Sequence, residues 1–272
     1  MIGVERIFKG KLLLFGEYTV INGSSALAIP LDEFYGKWNF ADGVDNQNLR
    51  DFALYLEKGN TRFNIERFLL ELDNGLYFDS NIPMGYGVGS SGALCAGVFD
   101  RYCLEKSEID KDIQFLKRVF IEMESYFHGK SSGIDPLVCY LDKAIYYKKN
   151  EFLKVLEMEK NAHFFLIDTK IERKTAPLVD IYLQKMKGVE FQNINTELSK
   201  LNDNIVSAYL EKNTKTMVKY LSKLSSIQYD YFKEMIPPSI REEWKATLKN
   251  NTLIWKLCGA GGGGFIIGYE IG

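Results

Sequence analysis

Metal-binding side chains are scarce in these 272 residues: there are two histidines and four cysteines. Cys95, Cys103, Cys139 and Cys258 stand at wide, irregular spacings without a C-x-x-C pair, and His128 and His163 cannot complete a zinc cluster with them. Free thiols in a reducing cytoplasm are the expectation. An excess of one charge is also lacking. The 34 Lys and Arg against 36 Asp and Glu leave a formal net charge of -2, so no chain-wide field favours nucleic acid or an anionic membrane. The N-terminal apolar run, Leu12 to Phe15, meets Gly16 and Glu17 too soon to be a signal-peptide core or a membrane span. What remains, 46% apolar and 26% charged, is the mixture of a globular protein with a real core. The length suits one large domain or two modest ones.

The start, "RIFKGKLLLFGEYTVINGSSALAIPL", reads as two β-rich runs joined through Gly16-Glu17, with Asn22-Gly23 as turn chemistry. "LRDFALYLEKG" and "NIERFLLEL" show apolar residues at helical intervals around a Gly59-Asn60 break. Ala93 to Leu104 is small and apolar enough for a buried helix; Asp110 is expected to cap a second helix that reaches Phe127 and stops at Gly129. "KAIYYKK" and "HFFLIDT" look like strands, and the Lys/Glu/Asn-rich piece between them places a domain boundary near Phe152 to Asn161. Leu198, Leu201, Ile205 and Tyr209, then Val218, Leu221, Leu224, Ile227 and Tyr231, form the stripes of amphipathic helices. "TLIWKL" and "FIIGYE" close the chain as strands around a glycine loop.

Three stretches carry chemistry. In "NIPMGYGVGSSGALCAGV" an apolar helix begins just after Gly85, Gly87, Gly89, Ser90 and Ser91, so its unpaired first-turn N–H groups and its dipole offer a cradle for phosphate. A flexible turn before a buried helix is the plainer alternative. Gly87 to Gly92 also fits G-x-G-x-x-G, but Pro83 and several loop residues intervene before it, and alternating β-α-β units are not evident; an NAD-binding oxidoreductase is therefore the distant alternative. In "EMESYFHGKSSGIDP", Glu124 lies one helical turn before His128, so its carboxylate faces the loop bearing Asp135. A metal-nucleotide enzyme needs one carboxylate for Mg²⁺ and another near the attacking hydroxyl; a solvated helix-end Glu and a turn Asp would look the same. His128 reads as structural. In "KLCGAGGGGFIIGY", five glycines in six positions lie between sheet-like flanks, which suits close backbone approach to a nucleotide or a neighbouring loop.

In this order, "GKLLLFGEYTVINGSSALAIP", "PMGYGVGSSGA" and "KLCGAGGGGF" resemble the three signatures of the GHMP kinase superfamily, across nearly the whole chain. "HGKSSGID" and "DTKIERKTAPLV" are similar to segments of its mevalonate kinases. The resemblance implies an α+β fold with an N-terminal nucleotide-binding domain, residues 1–155, and a C-terminal ferredoxin-like α/β sandwich, residues 156–272. It also implies ATP-dependent phosphorylation of a small alcohol, with mevalonate foremost and phosphomevalonate or another alcohol as the alternative.

Carried onto this sequence, it makes Asp135 and Lys11 catalytic and sets Gly85, Gly87, Val88, Gly89, Ser90, Ser91 and Gly92 around ATP. Mg²⁺ falls to Ser91 and Glu124, and the alcohol to Glu17, Tyr18, Thr175, Gly259, Ala260 and Gly261. Tyr18 stands where mevalonate kinases usually carry histidine, Pro136 replaces a common asparagine and Phe265 a common small residue. No nucleic-acid or membrane partner is expected, and the sequence leaves open whether the chain pairs as a homodimer.

Overall fold

The computed structural model describes residues 6–59, 62–157, 163–172, 175–250 and 252–272, except for the side chains of 175 and 176. Its contacts divide into two compact units, one of Met1–Lys11, Pro30–Pro83 and Val88–Lys143, the other of Leu12–Ile29, Met84–Gly87 and Ala144–Gly272. Strands β1 (Phe8–Phe15) and β2 (Ser25–Phe40) contribute residues to both. Between them, where a plain turn was expected, Thr19–Asn22 forms one 3-10 turn ending on Gly23 in the left-handed conformation.

In the first unit, α1 (Gln47–Gly59) buries Leu49, Phe52, Ala53 and Leu56, the spacing of a single apolar stripe. Helix α2 (Ile65–Asp73) starts at Asn64, whose side chain accepts the Arg67 N–H. The far half of β2 pairs antiparallel with β3 (Leu76–Ser80), from Gly36 opposite Ser80 to Phe40 opposite Leu76. Helix α3 (Ser90–Tyr102) is buried along most of its length, and its small residues admit close neighbours: a Cβ on Gly92 would lie 3.0 Å from the Asp135 backbone.

A short helix, α4 (Lys106–Ile109), separates it from α5 (Ile113–His128). The cap of α5 is Asp112, which accepts the N–H groups of Gln114 and Phe115; the expected cap, Asp110, instead ends α4, and its carboxylate accepts the Tyr140 hydroxyl at 2.9 Å. Gly129 ends α5 at φ 72°, as expected, and α6 (Ile134–Leu141) carries Asp135 in its first turn.

In the second unit, β4 (Ala144–Lys148) pairs antiparallel with the near half of β2, from Ser25 opposite Lys148 to Ala28 opposite Ile145, and β5 (Phe152–Leu156) pairs with β4. Strand β5 occupies part of the stretch expected to be a boundary, and residues 158–161 of that stretch lie outside the described residues. Beyond β6 (Phe164–Asp168) come α7 (Thr175–Lys185), α8 (Val189–Leu210), α9 (Thr214–Tyr231) and α10 (Arg241–Thr247), then β7 (Leu253–Leu257) and β8 (Phe265–Glu270). The order of the three-stranded sheet is β6-β8-β7, antiparallel throughout. Helices α8 and α9 bury the anticipated Leu198, Leu201, Ile205, Leu221, Leu224 and Ile227. Sheets of antiparallel pairs beside segregated helices make the fold α+β. Among the described residues no helix is long and apolar enough to cross a membrane.

Candidate active site

Nine residues separate the end of β3 from the start of α3, too many for the tight strand-to-helix turn of a dinucleotide fold. Gly85, Gly87 and Gly89 take φ of 77°, 72° and 88°, values that L-residues adopt with strain. Gly89 is the residue before α3, and its carbonyl accepts the Ala93 N–H at 2.8 Å. Ser90, Ser91 and Gly92 therefore form the first turn, whose N–H groups have no partner within the helix. A Cβ on Gly89 would sit 2.8 Å from the Lys11 side chain, so glycine meets two demands there, one of conformation and one of space. Val88 joins the same arrangement by accepting the Lys11 N–H at 2.9 Å.

The Lys11 ammonium lies 2.7 Å from a carboxylate oxygen of Asp135, with the lysine side chain 9% and the aspartate 36% exposed. Glu124 on α5 is buried. It accepts the Ser131 hydroxyl, and the Ser91 hydroxyl lies 3.5 Å from its other oxygen. Burial first, and the charge of Asp135 next, push the Glu124 carboxyl up to about 7, against hydrogen bonds from Ser131 and Ser91 and the charge of Lys11. His128, read as structural, places Nε2 3.0 Å from the Ser91 hydroxyl. Cys139 lies fully buried beneath the loop; burial first and Asp135 next raise its thiol well above the ordinary range, so it packs as a neutral group. Thus Lys11, Gly89, Ser91, Gly92, Glu124 and Asp135 converge in one unit, and Ser131, which sequence reasoning passed over, belongs with them.

Val88 and Ser90 lie in that unit too, whereas Gly85, Gly87 and the residues expected around the alcohol lie in the second unit. Glu17 is buried and paired with Lys256, which also donates to the Leu257 carbonyl at 2.8 Å. Tyr18 donates its hydroxyl to the Ala260 carbonyl at 2.6 Å and stacks on Tyr182 and Phe232. In the loop between β7 and β8, Gly259, Gly261, Gly262, Gly263 and Gly264 all have positive φ. Thr175 opens α7, and its side chain lies outside the described residues. Lys256 was legible only as the residue opening "KLCGAGGGG"; a lysine within an apolar strand facing a glutamate after another is the signal that could have found it.

Residues 51–143 match the family model of the GHMP kinases N terminal domain. A mevalonate kinase of Archaeoglobus fulgidus is 27% identical over 95% of this chain and 89% of its own length. A mevalonate kinase of Arabidopsis thaliana is 26% identical over 82% of the chain, which spans 64% of that longer relative. The L. major mevalonate kinase, solved in complex with R-mevalonate, superposes with a TM-score of 0.69 over 99% of this chain and 87% of its own, at 17% identity, and shows the shared fold.

Proposed function

We propose that this protein is a GHMP kinase, that it transfers the γ-phosphoryl group of ATP to a small alcohol, and that the alcohol is mevalonate. The observation that carries the reading is the Lys11–Asp135 pair beside the first turn of α3. Phosphoryl transfer depends on positioning and electrostatics more than on covalent chemistry, and this pair supplies both. Asp135 accepts a hydrogen bond from the acceptor hydroxyl and takes its proton as the oxygen bonds to the γ-phosphorus and the bond to ADP breaks. Lys11 holds the Asp135 carboxylate in place and offsets charge on the transferred group. The amides of Ser90, Ser91 and Gly92, with the freely approaching backbone at Gly85, Gly87, Val88 and Gly89, receive the phosphates.

The donors present fit Mg²⁺. One carboxylate and one hydroxyl are hard oxygen ligands, and Mg²⁺ takes one or two carboxylates with the remaining positions filled by phosphates and water. Among the described residues no group of three or more His, Cys, Asp or Glu could hold a metal, so an all-protein cage is not the type of site concerned. A buried Glu124 with its carboxyl raised is a group that a cation would ionise. Ser91 and Glu124 would hold the ion, which when bound shields the phosphate charge.

Mevalonate as the acceptor is supported by the names of the two relatives. The test is ADP release from ATP and Mg²⁺ with mevalonate, phosphomevalonate, homoserine and galactose in turn. Release with mevalonate alone is the expected result. Release with another alcohol only would replace the substrate, and release with none would remove the reading.

A further inference from the structure

Parts of the three glycine-bearing signatures meet inside the second unit through side-chain and backbone contacts, and one buried ion pair stands at the start of that chain of contacts. Lys256 on β7 is 1% exposed and its partner Glu17, just past β1, is 2% exposed. Glu17 in turn fixes an unusual backbone. Its carbonyl accepts the Thr19 N–H at 2.6 Å, which makes Tyr18 the centre of a three-residue turn with φ 60° and ψ -44°. That is the rare and strained form of the γ-turn, and a side chain persists there only where its surroundings over-determine it. Here they do: Glu17 is held by Lys256, and the Tyr18 hydroxyl by the Ala260 carbonyl.

Ala260 lies in the loop between β7 and β8. The far end of that loop is locked in turn, because Thr169 donates both its N–H and its hydroxyl to the Gly264 carbonyl, while Gly264 donates to Ile171 at 2.6 Å. A Cβ on Gly264 would lie 3.0 Å from the backbone of Tyr86, and Phe265 meets the Tyr86 ring edge to face with centroids 5.0 Å apart. Tyr86 stands between Gly85 and Gly87, at the head of the phosphate-binding stretch.

We infer that Lys256 is a positioning residue for the nucleotide: through Glu17, Tyr18 and the 259–264 loop it sets the path of Gly85, Tyr86 and Gly87. This rests on the proposed ATP-dependent activity but adds a residue outside the phosphate cradle. It gives the carboxylate of Glu17 and the phenol of Tyr18 a role toward the loops.

The test is titration with a fluorescent N-methylanthraniloyl ADP, alongside thermal unfolding. A single substitution would strand a buried charge, so the variant is Glu17→Leu with Lys256→Met, which removes both charges together. It should melt no lower than wild type yet bind the ADP probe about tenfold more weakly, the scale of a misplaced contact. A folded double variant that binds within twofold of wild type overturns the inference, since a purely structural pair would leave the affinity of the folded chain unchanged. If the double variant does not fold, Tyr18→Phe decides. Removal of one hydroxyl should weaken probe binding twofold or more with little change in melting temperature, and a smaller loss overturns the inference. A wild-type chain that binds the probe but phosphorylates no alcohol removes the proposed function alone. One that binds no probe removes both.

Discussion

Lys11 and Asp135 are paired at 2.7 Å with unequal access to solvent, the ammonium buried and the carboxylate 36% exposed. One side of the acid is thus fixed by a cation while another can receive a hydroxyl. The buried lysine follows from its place on β1, where its N–H is also tied to Val88 and its stem packs against Gly89.

Asp135→Asn keeps the shape and removes the charge and the proton acceptor. Turnover should fall by roughly 10²- to 10⁴-fold, the usual contribution of a positioned base, while ADP affinity stays near that of wild type. Steady-state kinetics and a binding titration check this, and near-normal turnover would take Asp135 out of the mechanism.

Glu124 gives a pH dependence with a definite sign. Its carboxyl is raised from 4.5 to about 7 in the folded chain, so the folded state holds the proton more tightly than the unfolded one. The stability this contributes is complete below about 4.5 and is lost as pH rises through about 7. In chelator, wild type should therefore lose stability between pH 5 and pH 8, by about 3 kcal/mol at most. Glu124→Gln should abolish most of that slope and be the more stable protein at pH 8. Denaturant titrations at the two pH values measure it; parallel curves for both proteins would show that Glu124 is not the group responsible.

Ser91→Ala removes a hydroxyl that lies within reach of both Glu124 and His128. The Mg²⁺ concentration for half-maximal turnover should rise about tenfold, with activity partly regained at high Mg²⁺. A variant with an unchanged Mg²⁺ requirement would exclude Ser91 as a ligand.

Gly89→Ala places a methyl group 2.8 Å from the Lys11 side chain in a backbone of φ 88°. Strain alone costs on the order of 1–3 kcal/mol, and the displaced Lys11 should lower turnover in the protein that still folds. Circular dichroism melts and kinetics on the same preparation separate the two effects. Gly23→Ala is the control: its φ is 90° but its Cβ would meet nothing within 4 Å, so it should cost stability without touching turnover.

Much of this was legible because periodicity is local. The stripe of Leu49, Phe52, Ala53 and Leu56 and the glycine stop at Gly129 need no knowledge of the rest of the chain. Capping is read less surely: Asp110 was the expected cap, yet Asp112 caps α5 two residues on, and the Asp110 carboxylate is engaged by the Tyr140 hydroxyl, thirty positions away in the chain. Strand β5 escaped notice because the Lys/Glu/Asn-rich piece that contains it read as a domain boundary, whereas its pairing with β4 fixes it. In the site, residue types at signature positions indicated Lys11, Ser91, Glu124 and Asp135. The partners that tune them, Ser131 on Glu124 and Lys256 on Glu17, come from side-chain packing, which sequence spacing does not encode.

The sharing of β1 and β2 between the two units bears on how the protein is made. A ribosome would release every piece of the first unit once Lys143 had emerged, so that body can close early. Residues 12–29 must wait, because the strands and helices that complete their unit are made after Lys143. A nascent chain halted before β7 would carry Glu17 without Lys256, and so would hold an acid meant for the interior with no cation to meet it.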